Sequence, residues 1–315
     1  MDNGIKDRLQ RSAGAAAGVG TYYATNKLIQ KSGKKLFKIV DPKLNADEKL
    51  RFKNAGYRMH NDLFKDKGIE LFDIAKEDFE SYTKARYEKC SSYFNDQLAK
   101  TKNPIKRFIL NLQKNSILAN AKNLDEATKK GFNAYFTIIS NRVTKNNKKV
   151  IEYTPKVIIN MDKAALYLPH ELGHAQNYLQ KILGPAMHKI FKNRAIQNRT
   201  IFTILGIALL TKPKSKNNDN QKPKNPLYPI GLFIKNNCGK LATIAMMPAV
   251  LEEGFASLNG QKMSQKYLSK QDLKTLKISH LNSFGSYMIW GCGIGVAIYL
   301  ANKVRDKIAN LGHKN

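Results

Sequence analysis

The stretch Leu168-Pro169-His170-Glu171-Leu172-Gly173-His174-Ala175 decides how this chain is read. It contains His-Glu-x-x-His. On an α-helix, two histidines four residues apart lie on one face, one turn above the other. Both can therefore reach one metal ion. Glu171 stands beside them and can reach a metal-bound water without being a ligand. Zinc lowers the pKa of such a water, and a neighbouring carboxylate can take its proton.

The rest of the chain narrows the metal reading. There are six histidines: His60, His170, His174, His188, His280 and His313. From residue 161 onward there are three glutamates: Glu171, Glu252 and Glu253. One lies between the paired histidines, and the other two lie where a third ligand is needed. In Val250-Leu251-Glu252-Glu253-Gly254-Phe255-Ala256-Ser257, a helix puts Glu253 and Ser257 on one face. Glu252 is turned about 100° away, toward Ala256. Helical geometry alone leaves both glutamates open as ligand. Among the other histidines, His280 is the best remaining candidate, with a structural role the simpler reading.

A length of 315 residues suffices for a sizeable core in one large domain or two. The three cysteines, Cys90, Cys238 and Cys292, form no CxxC pair. That argues against a thiolate zinc site and fits a reducing compartment or buried thiols. The formal net charge is +30, with 32 basic and 17 acidic side chains in residues 1–160 and 22 and 7 in 161–315. A field spread this evenly suggests a polyanionic neighbour. There is no Cys/His finger, arginine-rich helix or aromatic–basic interleaving, so an anionic membrane is expected in preference to nucleic acid.

Residues 1–40 read as a basic segment with a Gly/Ala-rich helix at Ser12–Ala24, in which Gly14 and Gly18 form a small-xxx-small step. It resembles a retained helix more than a secretory signal. Residues 41–145 read as a charged helical region. Ile69, Leu71, Phe72 and Ile74 continue its apolar stripes, and Ile105–Leu118 and Leu124–Asn141 are two further helices. Val143–Asn147 reads as a polar turn. Val150–Tyr153 and Val157–Ile159 are β-branched runs separated by Thr-Pro-Lys, expected as a hairpin or two edge strands. Such an edge beside the His-Glu helix can hold a peptide in extended form. Asn160 or Asp162 can cap the next helix. Pro169 either kinks that helix or marks where its regular part begins. Gly173 permits close approach to it, and Gly184-Pro185 ends or bends it.

After the motif the composition turns apolar. Ile201–Leu210, Leu227–Phe233 and Leu241–Leu251 form a broken apolar hairpin over residues 200–250, with a polar linker at Lys212–Lys224. Phe284–Asn302 is uncharged and long enough for a bilayer, which needs about 20 residues. Gly291 and Gly295 give it a GxxxG step. Lys303, Arg305 and Lys307 follow; the positive-inside rule turns that end to the cytoplasm, though it discriminates little in so basic a chain.

These two motifs together resemble the membrane-associated zinc metallopeptidases of the HtpX type and the related neutral zinc metallopeptidases of the YugP type. His170-Glu171-Leu172-Gly173-His174 followed by Ala175-Gln176 is similar to the YugP first motif. Glu253-Gly254-Phe255-Ala256-Ser257 is similar to the second, Glu-x-x-Ala-Ser, which carries the third ligand. The resemblance covers roughly residues 150–260. It implies a zincin-like metallopeptidase core at 146–260, interrupted by the apolar hairpin, and selects Glu253 over Glu252. It implies Zn2+ held by His170, His174 and Glu253, with Glu171 as general base and acid. Ser257 would hydrogen-bond a ligating side chain.

The expected protein is mainly α with a small β element and hydrophobic membrane-associated helices. It ends in a region, 261–315, with a candidate transmembrane helix at 284–302. The expected function is zinc-dependent endopeptidase action on a protein or peptide substrate at or in a membrane. The protein would be integral, with the active site on the cytoplasmic side. The alternative is a non-catalytic, basic, membrane-anchored scaffold with a structural zinc site.

Overall fold

In the computed structural model, described for residues 3–40, 42–145, 148–180, 194–211 and 226–310, the chain is mainly helical with one small sheet. It divides into two compact units made of discontinuous stretches. One comprises 42–179 and 256–279; the other comprises 1–41, 180–255 and 280–315.

The unit built on 42–179 holds the sheet. After helix α1 (Asn3–Val40) of the other unit, its elements are α2 (Ala46–Leu63), β1 (Glu70–Asp73), α3 (Phe79–Ala99), α4 (Pro104–Lys129), β2 (Tyr135–Lys145), β3 (Lys148–Ile159), the single turn α5 (Met161–Ala164) and α6 (Leu168–Gln180). Helix α2 begins at a capping box, in which the Asn45 side chain accepts from Glu48 N and Glu48 reaches back to Asn45 N. The strand order is β1-β3-β2, with β1 parallel and β2 antiparallel to β3. Side chains alternate across the sheet. On one face, Val157 and Ile159 join Phe52, Met59, Met161, Leu168 and Leu172 in the main core. On the other, Ile158 packs with Phe72 and Phe79. The segment 256–279 adds Leu276 to the main core. It also supplies Asp272, which accepts a bidentate pair of hydrogen bonds from Arg51.

The helical reading of 41–145 needs correction at two places. Ile69–Ile74 is no helix: Glu70–Asp73 is strand β1, paired with Lys156–Ile159, and it starts after Gly68, whose φ is 72°. The expected helix over Leu124–Asn141 is also wrong. Ile105–Leu118 and the residues to Lys129 form one helix, α4, so Asp125 and Glu126 lie near its end. Gly131, at φ 76°, then turns the chain, and the β-favouring run Tyr135-Phe136-Thr137-Ile138-Ile139 pairs with β3. Val143–Lys145 belongs to β2, not to a turn; 146–147 lie outside the described residues. The two short runs around Thr-Pro-Lys are one strand, β3. Pro155 is tolerated because β1 pairs only from Lys156 onward, leaving no strand on that side of Pro155.

The other unit is wholly helical among its described residues. It contains α1 (Asn3–Val40), α7 (Arg194–Leu210), α8 (Tyr228–Asn236), the part of α9 (Cys238–Ser264) up to Phe255, and the part of α10 (Lys270–Ala309) from His280. Ser12–Ala24 falls within α1. Tyr22, Ile201, Leu205, Ala208, Ala242, Met246, Ile294, Ala297 and Ile298 form its core. The small-residue steps set its helix spacing. A Cβ on Gly14 would stand 2.8 Å from Arg305 O, and one on Gly239 2.9 Å from Gly295 O. Buried cations are satisfied internally: Lys235 Nζ donates to Asn302 Oδ1 at 2.8 Å, and Arg305 Nε donates to Leu209 O at 2.8 Å. The three apolar runs of the expected hairpin lie in α7, α8 and α9, with Lys235-Asn236-Asn237 at the break between α8 and α9. The linker within 212–225, Gly184-Pro185, His188 and His313 lie outside the described residues. Among the described residues, two helices, α9 and α10, are long and apolar enough to cross a membrane, by length and composition.

Candidate metal centre

Helix α6 presents the motif because of how its turns are divided. Met161–Ala164 and a 3₁₀ turn at Ala165–Tyr167 absorb the preceding residues. Pro169 therefore falls in the first turn of α6, where its missing N–H costs no helical bond. Asn160 precedes α5 without a side-chain cap; its amide donates to Lys129 O instead. Leu168, Leu172 and Ala175 are fully buried and fix one face of α6 in the core. His170 and Glu171 are buried beside them, and His174 is half-buried.

The two imidazoles converge. His170 Nε2 and His174 Nε2 are 3.1 Å apart, with the rings nearly perpendicular at 85°. Two nitrogens bound to one tetrahedral zinc at about 2.0–2.1 Å would be about 3.3 Å apart. The pair thus needs to open by only about 0.2 Å to share an ion. One ligand atom each from His170, Glu171 and His174 lies within 4.8 Å of the others. The donor set fits zinc, although neutral imidazoles and a carboxylate also suit other divalent metals.

Two members of the cluster, His170 and Glu171, are held from behind. Ser257 Oγ is 3.1 Å from His170 Nδ1. With the proton on Nδ1 donated to that hydroxyl, the Nε2 lone pair is left facing His174. Glu171 Oε2 accepts a 2.7 Å hydrogen bond from the backbone N–H of Phe136, in β2. Asn259 Nδ2 donates to Asn177 Oδ1 at 2.8 Å, tying α9 to α6 one turn beyond His174. Gly173 allows the contact between these helices: a Cβ there would stand 1.9 Å from Ala256 O.

Glu252 and Glu253 belong to the other unit, whose boundary falls between Phe255 and Ala256 inside unbroken helix α9. Glu253 precedes Ser257 by one turn on the same helix face and is 2% exposed; Glu252 is turned away from that face and half-buried. His280 is buried in α10.

Sequence reasoning missed the Phe136 amide, Asn177 and Asn259. A backbone donor has no sequence signature, and Phe136 falls within the expected helix Leu124–Asn141. Asn177 and Asn259 each lie near a motif, but nothing local pairs them.

On the far face of the sheet, Asp125 is buried under three donors. Arg86 and Tyr87 reach its Oδ2, and Tyr135 OH donates to its Oδ1 at 3.0 Å. Burial holds the Tyr135 phenol well above its usual range. Burial and the bond to Asp125 push Tyr87 up to about 12. Both phenols therefore stay protonated as donors near neutrality.

No family model, no curated protein and no solved structure matches this chain.

Proposed function

We propose that the chain is a zinc-dependent endopeptidase acting at or in a membrane. The observation that carries this reading is the 3.1 Å approach of His170 Nε2 to His174 Nε2 beside the buried Glu171 carboxylate. His170, His174 and Glu253 hold the metal, and Ser257 fixes the His170 tautomer. Bound zinc supplies Lewis acidity to the scissile carbonyl and acidifies water. Glu171 accepts a proton from the attacking water and delivers it to the leaving amine. The substrate is a protein or peptide.

The membrane part of the proposal rests on α9, α10 and the apolar side chains that their unit leaves exposed, among them Ile230, Phe233, Ile244, Val296 and Tyr299. Large apolar side chains exposed in this number call for a cover, and the net charge of +30 suits anionic headgroups. A cytoplasmic side for the active site is part of the same proposal; the sparse, odd set of three cysteines, with no CxxC pair, suits a reducing compartment.

The second reading is a non-catalytic scaffold with a structural metal. One observation favours it: the Glu171 carboxylate already engages the Phe136 amide. Glu171→Gln separates the two. As an enzyme, the variant retains zinc in purified, detergent-solubilised protein and loses cleavage of a denatured-protein or peptide library by at least about 100-fold. If the wild type binds zinc and cleaves nothing in detergent or lipid, the scaffold reading replaces the enzyme.

A further inference from the structure

The helical pair α3–α4 lies on the opposite face of the sheet from α6, yet it grips the strand that touches Glu171. Tyr135 and Phe136 are adjacent in β2, paired with Ile158 and Val157, so their side chains leave opposite faces. The Tyr135 ring packs beside Phe72, Phe79 and Ile158. Its hydroxyl donates to Asp125 of α4 and accepts from Arg86 Nη1 of α3 at 2.8 Å. The Phe136 ring faces the other way, with its centroid 5.9 Å from that of Tyr178 in α6. The Phe136 N–H meets Glu171 Oε2. One residue's hydroxyl is thus pinned to α3 and α4, and the next residue's amide is pinned to the carboxylate.

We propose that Asp125 and Arg86, acting through the Tyr135 hydroxyl, position the Phe136 amide and so orient Glu171. Asp125, Arg86 and Tyr135 are positioning residues; none of them touches the metal cluster. A buried carboxylate with three donors is a rigid anchor, since losing any partner leaves a buried polar group unmet. β2 has a strand partner on one side only. Its other edge is kept in register by groups such as these, and the amide opposite Glu171 moves with it. The region preceding the motif thereby acquires a role in the chemistry as well as in packing.

The activity arm of the test rests on the endopeptidase reading; the exchange arm does not. Full-length wild type, Tyr135→Phe and Asp125→Asn are compared in detergent, each with its zinc content measured. Tyr135→Phe keeps the ring in its apolar site and removes only the hydroxyl, so it stands in if Asp125→Asn does not fold. The expected result in Tyr135→Phe is amide exchange at Phe136 faster by about three- to tenfold, unchanged zinc content, and a fall in kcat of similar size at unchanged KM. Unchanged Phe136 exchange overturns the proposal, as does loss of zinc in parallel with kcat. If the wild type has no peptidase activity, the endopeptidase reading fails alone, and Phe136 exchange still supports or overturns the coupling.

Discussion

Ser257 Oγ stands 3.1 Å from His170 Nδ1, so a residue 87 positions away orients the first histidine of the motif. The contact links the two sequence motifs through one hydroxyl. It also bears on the third ligand, because Glu253 lies one turn before Ser257 on the same face of α9.

That register predicts how zinc retention divides among variants. Glu253→Gln should lose the metal, and Glu252→Gln, turned about 100° away, should keep it. Ser257→Ala should bind zinc about 10- to 100-fold more weakly, the usual cost of removing the partner of a metal-bound histidine. Titration against a competing chelator measures all three. Loss of zinc in the Glu252 variant alone would reassign the ligand.

Gly173 is predicted to be intolerant of any side chain. A Cβ at 1.9 Å from Ala256 O must push backbone, because no side chain there can give way. Gly173→Ala should lower stability by about 1–3 kcal/mol despite alanine's better helix propensity. It should also weaken zinc binding, since separating α6 from α9 draws Ser257 away from His170. A variant as stable as the wild type in thermal or denaturant unfolding would show that the helices part without cost.

The Arg51–Asp272 pair gives a pH signature. The hydrogen bond from Arg51 holds the Asp272 carboxyl below the usual range, against the opposing effect of burial. A depressed carboxylate contributes stability that is present above its unfolded value, near about 3.9, and is lost as pH falls through the lower folded value. Arg51→Met should therefore be less stable than the wild type at pH 7, and the difference should close below about pH 4. Circular dichroism melts across that range test it; a gap that stays constant with pH would exclude the pair as its origin.

The site was legible where its geometry is local. His170, Glu171 and His174 are set by one turn of helix, and Glu253 and Ser257 by another, so spacing alone gave each set its face. The small-residue steps were legible too, because Gly14 and Gly295 carry their packing role in their own lack of a Cβ. The strands were less so. Tyr135–Ile139 carries apolar residues that suit either a helix end or a strand, and the choice is made by pairing with β3 and by Gly131, not by the segment itself. Pro155 reads as a breaker until it is known that β1 stops short of it. The Phe136–Glu171 bond was illegible for the same reason, since it depends on where a misread strand runs.

The last prediction concerns location. Residues 284–302 of α10 carry no charge, and their stretch spans about 28 Å at 1.5 Å per residue, close to the hydrocarbon thickness. Surface attraction between lysines and anionic headgroups is worth about 1 kcal/mol per well-placed charge and weakens with salt. A spanning helix resists both salt and alkaline carbonate. Sequential extraction of membranes should therefore leave the protein in the pellet after high salt and again after carbonate. In a Cys292→Ser background, a membrane-impermeant maleimide should label Cys90 only after the cells are permeabilised, as a cytoplasmic thiol requires. Release by salt alone would reduce the attachment to a peripheral one, and labelling of Cys90 in intact cells would put α3 on the outer side. Neither result touches the metal cluster, because His170 and His174 converge within one helix whatever surrounds the apolar unit.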